Sequence, residues 1–193
     1  DPKRKIYCPG SFSHGGRVYH CWNRAGHGHV NLLEALARSC DVYFYRLGLE
    51  LGIDRLARYA RAFGMGEATG SRIAGERKGL VPTRAWKQRV KNERWQPGET
   101  LSAAIGQGFN LATPLQLAVL YASLANGGVR FQPRLVMGLE TWDGRLVEEG
   151  TPLSEPVPGV DARTMDVLKQ AEVEMTVVPE DYSRDGILAK VEM

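Results

Sequence analysis

Ser39 and Asp41 are the residues of this chain whose types and spacing point most directly to chemistry. They stand on either side of Cys40, between a helical run over residues 31–38 and a second apolar run over residues 42–45. A hydroxyl and a short acid two residues apart, at a break between helices, can point into one cleft and exchange protons there. The alternative is that the two residues only end one helix and cap the next.

A second group of residues has the composition of a metal site. Cys8, Cys21, Cys40 and His27 offer three thiolates and one imidazole, which is a ligand set of tetrahedral zinc. Their spacing is not that of a Cys-x-x-Cys knuckle, so Cys40 as a small buried apolar residue and His27 as a loop histidine remain alternatives. Three further histidines are spare candidates for the fourth ligand: His14, His20 and His29.

The elements that must position these residues are helices. The sequence predicts a first helix capped by Asn31, with Glu34 three residues later in capping-box position. A second helix is predicted to be capped by Asp41 and to run to about Leu51, and a third is predicted to be capped by Asp54. The Ser39 turn therefore lies between two helices.

The remaining chain alternates between segments with and without a clear pattern. Residues 1–30 are predicted to be an irregular loop region, and residues 64–98 are also predicted to be loop-like. A helix is predicted after the N-cap Thr113, a hairpin turn at Asp143-Gly144, and a C-terminal helix from Asp161.

Composition excludes several function classes. The chain has 193 residues, 43% hydrophobic and 24% charged, with a net charge of +3 that is not gathered into a basic stripe. These values are typical of a soluble globular domain or of a large piece of one, and they argue against nucleic acid as a partner. No stretch approaches the roughly 18 to 20 apolar residues of a membrane span. Because the chain starts at Asp1, without an initiating Met, we interpret it as a segment of a longer protein.

Short motifs follow one another in a fixed order over residues 8–135. In chain order they are Cys8-Pro9-Gly10, Gly26-His27-Gly28, Ser39-Cys40-Asp41-Val42-Tyr43-Phe44-Tyr45, Gly52-Ile53-Asp54, Phe63-Gly64-Met65-Gly66, Thr69-Gly70, Gly75-Glu76, Gly79, Pro82, Trp86-Lys87, Gly98-Glu99-Thr100, Ile105-Gly106-Gln107-Gly108, Thr113-Pro114-Leu115-Gln116 and Leu124-Ala125-Asn126-Gly127-Gly128. Together they resemble the transpeptidase domain of class B penicillin-binding proteins of the penicillin-binding protein 2 type, which act in rod-shape cell-wall synthesis.

The resemblance implies the α/β fold of penicillin-binding proteins and β-lactamases. It implies that residues 1–193 are part of one transpeptidase domain, mostly α-helical, with a short β-hairpin near residues 134–147. Within it, residues 1–30 are expected to be a Cys/His-rich loop region and residues 31–128 a helical subdomain. Residues 129–193 are expected to hold the hairpin and a C-terminal helix that leads toward a Lys-Thr-Gly strand.

The implied activity is that of a peptidoglycan D,D-transpeptidase. In this family the serine of a Ser-x-x-Lys motif attacks a D-Ala-D-Ala carbonyl, and the acyl group passes to an amine of a neighbouring stem peptide. Ser39 and Asp41 map onto the second motif of the family, whose third position is commonly Asp in the penicillin-binding protein 2 type. The sequence contains neither Ser-x-x-Lys nor Lys-Thr-Gly, so we expect these residues alone to be inactive.

The resemblance also bears on the cysteines. It implies an oxidising periplasm, where an odd number of cysteines suggests one disulfide, Cys8–Cys21, and a free thiol. It also favours structural Zn²⁺ held by Cys8, Cys21, His27 and Cys40, since zinc sites adjoin the second motif in relatives. Zinc, the disulfide and three unlinked thiols remain alternatives.

The implied partners are peptidoglycan stem peptides, β-lactam antibiotics and a membrane-embedded glycan polymerase of the rod complex, with no nucleic acid. The implied location is the periplasmic face of the bacterial inner membrane, with an anchor outside this segment. A first rival is a zinc-stabilised, non-catalytic binding module of the same fold. A second rival is an unrelated helical scaffold protein.

Overall fold

The computed structural model describes residues 1–136, 138–149 and 153–176, and within these ranges it is a mainly helical structure with small two-stranded sheets. The strands are β1 Ile6–Cys8, β2 Ser11–His14, β3 Arg17–His20, β4 Gly28–Val30, β5 Val129–Phe131, β6 Gly138–Glu140, β7 Leu146–Glu149 and β8 Ser154–Pro156. The helices are α1 Leu32–Ala37, α2 Asp41–Leu51, α3 Ile53–Ala62, α4 Arg84–Lys91, α5 Pro97–Ala104, α6 Pro114–Ala125 and α7 Ala162–Thr176. The part of the predicted C-terminal region from residue 177 on lies outside the described residues.

Residues 1–30 form two small antiparallel sheets, so the prediction of an irregular loop is wrong. β1 pairs with β4, and β2 pairs with β3. The β2–β3 hairpin turns at Gly15 and Gly16, whose φ values of 57° and 74° suit a two-residue turn. Strands of three or four residues are too short to show a reliable alternating pattern in the sequence, and tertiary packing fixes them instead.

The core next to the predicted site is built around α2. It joins the paired strands β1 and β4, the helix α1 with the turn after it, and the middle of α5, with Leu101 from α5 fully buried. The buried residues of this cluster are Ile6, Cys8, Cys21, Val30, Ala35, Cys40, Val42, Tyr43, Tyr45 and Leu101. All three cysteines therefore belong to the core that positions the start of α2.

Two helices, α4 and the start of α5, lie where residues 64–98 were predicted to be loop-like, so that prediction is wrong. α4 carries few apolar residues, which weakens its pattern in the sequence. It is stabilised by other means: Thr83 Oγ1 accepts a hydrogen bond from Trp86 N at 3.0 Å. The buried Lys87 ammonium also pairs with Glu93, at 3.2 Å, and with Glu99 in α5.

The helix caps agree with the sequence at Asn31 and Thr113 and differ from it at Asp54. Asn31 and Glu34 form the predicted capping box of α1, and Thr113 caps α6 with Gln116. Asp54 does not cap α3, which begins one residue earlier, after Gly52. Its carboxylate accepts a hydrogen bond from Arg84 N at 3.1 Å instead, and so ties α3 to α4.

The C-terminal part of the described chain holds the predicted hairpin and helix. β6 pairs with β7 around the Asp143-Gly144 turn, and Gly144 has a φ of 82°. α7 begins after Asp161, whose Oδ1 accepts a hydrogen bond from Thr164 N at 2.8 Å. Within the described ranges, none of the helices combines the length and the apolar character that crossing a membrane requires.

Candidate functional site

The turn at Ser39 is a Schellman motif that ends α1. Ser39 N donates to Leu36 O at 3.1 Å, and Cys40 N donates to Ala35 O at 2.9 Å. This pair of bonds, with Arg38 as the C-cap, is the pattern by which a helix end satisfies its last carbonyl groups. The residue after the C-cap, here Ser39, is usually glycine in this motif.

Ser39 adopts a backbone conformation that its side chain disfavours. Its φ is +49°, in the left-handed region, and its side chain is exposed. The left-handed conformation costs a residue with a Cβ about 1 to 2 kcal/mol. Strain of this kind tends to be found at functional positions, where the rest of the structure holds it in place.

Asp41 is not the cap of α2, as the sequence predicted, but its first residue. Cys40 occupies the N-cap position and makes no side-chain capping bond. The Asp41 carboxylate instead accepts a hydrogen bond at Oδ2 from Trp22 N at 2.8 Å. Its negative charge also lies at the positive end of the α2 dipole, which is favourable. Asp41 thus links the start of α2 to the cysteine-rich segment.

The four predicted metal ligands come together beside this turn. The three sulfur atoms and a ring nitrogen of His27 all lie within 4.8 Å of one another, and all four residues are buried. Cys8 belongs to β1, Cys21 follows β3, His27 precedes β4, and Cys40 precedes α2. Among the described residues, the cluster includes none of the spare histidines.

Two glycines allow the backbone to bring Cys8, Cys21 and His27 together. A Cβ on Gly10 would lie 2.1 Å from Arg24 O, and one on Gly26 would lie 2.4 Å from Cys8 O. Both glycines also have positive φ, at 91° and 86°. Any larger residue at either position would push the two cysteine-bearing segments apart.

The geometry of the cluster fits a tetrahedral metal ion. His27 Nδ1 lies 3.6 Å from Cys8 Sγ and 3.5 Å from Cys21 Sγ. A zinc ion with Zn–S of about 2.3 Å and Zn–N of about 2.0 to 2.1 Å would place these atoms about 3.6 Å apart. The three cysteines are unlinked in this structure, so the Cys8–Cys21 disulfide considered from the sequence is not formed.

Burial controls the protonation of the cluster. It raises the pKa of the Cys40 thiol to about 12, with the nearby Cys8 adding to the effect. Burial likewise raises the pKa of Cys21 and lowers the pKa of His27. Cys21 and Cys40 therefore retain their protons when no cation is near, and a bound cation displaces these protons because it stabilises the thiolates.

Trp22 is a residue of the site that sequence reasoning missed. Its backbone N–H bonds Asp41, its indole Nε1 donates to Arg38 O at 3.0 Å, and its ring packs edge-on against His27 with centroids 5.4 Å apart. The signal available in the sequence was its position directly after Cys21.

Comparison with known proteins identifies the family. The family model described as the penicillin-binding protein transpeptidase domain matches residues 1–177. The chain belongs to this family. The transpeptidase segment is 44% identical, over 115 residues, to the peptidoglycan D,D-transpeptidase MrdA of Acinetobacter baumannii, a match that covers 60% of this chain and 17% of that protein.

Solved structures of relatives share the fold of the transpeptidase segment. The complex between penicillin-binding protein 2 and MreC from Helicobacter pylori matches with a TM-score of 0.79 at 31% identity, covering 94% of this chain and 32% of that chain. A structure described as a peptidoglycan synthase complex that coordinates polymerization and crosslinking matches with a TM-score of 0.79 at 38% identity, covering 92% of this chain and 29% of that chain. The segment has the α/β transpeptidase fold expected from its motifs, and it spans between 17% and 27% of the length of its curated relatives.

Proposed function

We propose that the protein to which this segment belongs is a peptidoglycan D,D-transpeptidase of cell elongation and rod-shape maintenance. One observation carries the proposal: a serine, and not a glycine, occupies the left-handed position of the Schellman turn, with its side chain exposed. A turn selected for stability alone would place glycine there. A serine in this strained conformation supports a use for its exposed hydroxyl. The family to which the segment belongs supplies that use, namely acyl transfer.

The proposed reaction is a two-step acyl transfer. The Oγ of a serine outside these 193 residues bonds to the carbonyl carbon of the penultimate D-alanine, and the terminal D-alanine leaves with a proton on its amine. An amine of a neighbouring stem peptide then attacks the ester. A new amide forms, and the serine oxygen recovers its proton. Penicillins acylate the same serine.

Ser39 and Asp41 are proposed to assist this transfer from the side of the cleft. The Ser39 hydroxyl can both donate and accept, so it suits the passage of a proton between the nucleophile and the leaving amine. The Asp41 carboxylate has acceptor capacity beyond its bond with Trp22 N, and it can also pair with a lysine. An asparagine at this position would offer an amide N–H instead.

The cluster of Cys8, Cys21, His27 and Cys40 is proposed to hold structural Zn²⁺. The donor set, the burial of all four residues and the 3.5 and 3.6 Å separations support zinc. The ion would supply binding energy that fixes the two cysteine-bearing segments against the start of α2. These four residues would orient the Ser39 turn without touching the substrate.

The proposed substrates and inhibitors are peptidoglycan stem peptides and β-lactam antibiotics. The proposed partner is a membrane-embedded glycan polymerase, supported by the related synthase complex that coordinates polymerization and crosslinking. The proposed location is the periplasmic face of the inner membrane, with the anchor in another part of the protein. Nucleic acid is not among the proposed partners.

The test is covalent labelling of the full-length protein by a fluorescent penicillin, with the labelled serine mapped by mass spectrometry. We expect one adduct on a serine followed three residues later by lysine. A full-length protein that binds zinc but forms no adduct would be the non-catalytic module considered above.

A further inference from the structure

Trp22 bridges the two ends of the Ser39 turn. Its indole Nε1–H donates to Arg38 O at 3.0 Å, on the residue directly before Ser39. Its backbone N–H donates to Asp41 Oδ2 at 2.8 Å, on the residue directly after Cys40. A single residue from another segment thus holds both sides of the turn that carries the exposed hydroxyl.

The same tryptophan is in contact with the metal cluster. It follows Cys21 in the chain, and its ring packs against His27 at an interplanar angle of 62° with centroids 5.4 Å apart. Arg38 also connects the two groups. Its guanidinium donates to His27 O at 3.4 Å, and its backbone carbonyl accepts from the Trp22 indole. The cluster and the turn therefore share Trp22 and Arg38 as common neighbours.

The turn has a specific need for this support. Arg38 is the C-cap of α1, and the last carbonyl groups of a helix have no partner within the helix. The indole supplies the partner for Arg38 O. Because the left-handed backbone of Ser39 is unfavourable, it persists only where neighbouring contacts over-determine it.

We propose that Trp22 is a positioning residue that couples the metal cluster to the Ser39 turn and holds the Ser39 hydroxyl in its working orientation. This inference rests on the proposed function, since it gives that hydroxyl a role in acyl transfer. The indole N–H bonds the backbone next to Ser39. It acts through Arg38 O, and the rigid position of its ring depends on the cluster beside it.

The test compares Trp22→Phe with the parent in the full-length, zinc-loaded protein. Phenylalanine keeps an aromatic ring beside His27 but removes the indole N–H that bonds Arg38 O. We expect unchanged zinc stoichiometry, and faster hydrogen exchange of the Ser39 and Cys40 amides measured by NMR. We also expect a rate constant for acylation by a fluorescent penicillin that falls about tenfold, within the hundredfold that a misplacement of about 1 Å can cause. The dissociation constant of the non-covalent penicillin complex should not change.

A second comparison removes zinc with a chelator from both the parent and Trp22→Phe. If Trp22 carries the coupling, removing zinc slows acylation by a larger factor in the parent than in Trp22→Phe, because the variant has already lost the indole bond to Arg38 O, while Cys40 joins the cluster to the turn in both proteins. The proposal would be overturned if zinc removal slowed acylation by the same factor in both proteins. It would also be overturned if Trp22→Phe exchanged its Ser39 and Cys40 amides and acylated at the parental rates. The exchange measurement does not depend on activity, so a parent that fails to acylate would count against the proposed function without deciding the role of Trp22.

Two further variants keep the outcome interpretable. Trp142→Phe is the matched control, since Trp142 is 99% exposed at the β6–β7 turn and should change none of these quantities. If Trp22→Phe does not fold, 3-benzothienylalanine at position 22 replaces the indole N–H by sulfur in nearly the same shape. This second variant should show the same faster exchange and slower acylation, and parental values would again overturn the proposal.

Discussion

Ser39 combines an exposed hydroxyl with a backbone conformation that glycine would adopt more easily. Because the hydroxyl adds nothing to the stability of the turn, this combination lets a role in stability be distinguished from a role in catalysis. A residue that only closes a Schellman turn gains nothing from a side chain at this position. A residue that serves a reaction keeps its hydroxyl despite the strain. Both roles predict that glycine at position 39 stabilises the fold, but only the catalytic role predicts that it slows acylation.

We expect Ser39→Gly in the full-length protein to raise the free energy of unfolding by about 1 kcal/mol, because it relieves the left-handed strain. We expect the same variant to slow acylation by a penicillin about a hundredfold, the lower range for loss of a proton-transfer group. Ser39→Ala is the control, because it loses the hydroxyl and keeps the backbone strain. It should acylate as slowly as Ser39→Gly, with no gain in the free energy of unfolding. Denaturant unfolding and stopped-flow acylation measure the two quantities. A Ser39→Gly protein that acylates at the parental rate would remove Ser39 from the mechanism.

At the residue scale, the sequence predicts which residues form the site better than it predicts what each side chain does there. Cys8, Cys21, His27 and Cys40 do converge, although their spacing matches no compact metal motif. The capping role expected for Asp41 is wrong, because the carboxylate bonds a backbone N–H from a segment 19 residues away. A local pattern cannot anticipate such a long-range partner, and Trp22 was missed for the same reason.

At the scale of elements, the start of α6 is tied to the loop between α3 and α4 by a single buried side chain. Gln116 is 1% exposed, and its amide nitrogen donates to Glu67 O at 2.6 Å and to Lys78 O at 2.8 Å. Its Oε1 also accepts from Thr113 N at 2.9 Å, which completes the capping box. One residue thus caps a helix and satisfies two carbonyls of a loop.

We expect Gln116→Leu to destabilise the domain by about 3 kcal/mol, because it removes the three hydrogen bonds that join the Gln116 amide to Glu67 O, Lys78 O and Thr113 N, each worth about 1 kcal/mol. Denaturant unfolding of the full-length protein measures this difference. Gln88→Leu on α4 is the matched control, since Gln88 is exposed and the same change there should stay within about 0.5 kcal/mol. Equal effects at the two positions would show that the bonds of Gln116 contribute little.

Elements with strong local signals were predicted correctly, and elements held by distant contacts were not. The capping boxes at Asn31 and Thr113 and the turn at Asp143-Gly144 are local patterns, and the structure confirms them. The strands within residues 1–30 depend on one another and on the core. α4 depends on an ion pair between Lys87 and two acids outside the helix.

At the scale of the whole molecule, the cluster joins three segments of the chain that pack against one core. It connects β1, the segment between β3 and β4, and the start of α2. A bound ion therefore acts on the relative position of these segments and on the core that they share. Metal binding to a site that exists only in the folded state adds its binding free energy to stability.

We expect removal of zinc from the full-length protein by a chelator to lower its melting temperature by about 5 to 10 °C, for a site loaded at about a hundred times its dissociation constant. Cys21→Ser is the matched variant: it should melt near the chelated parent and respond little to the chelator. Metal analysis should give one zinc per parent chain. An unchanged melting temperature together with an absence of zinc would contradict the metal site.

Penicillin labelling of the full-length protein tests the proposed function most directly. The experiment incubates the protein with a fluorescent penicillin, alone and after preincubation with an unlabelled β-lactam, and maps the adduct by mass spectrometry. A transpeptidase predicts one competed adduct on the serine of a Ser-x-x-Lys motif, with slower labelling of the Ser39→Gly and Trp22→Phe proteins. A folded, zinc-loaded full-length protein that carries no adduct would contradict the proposed function.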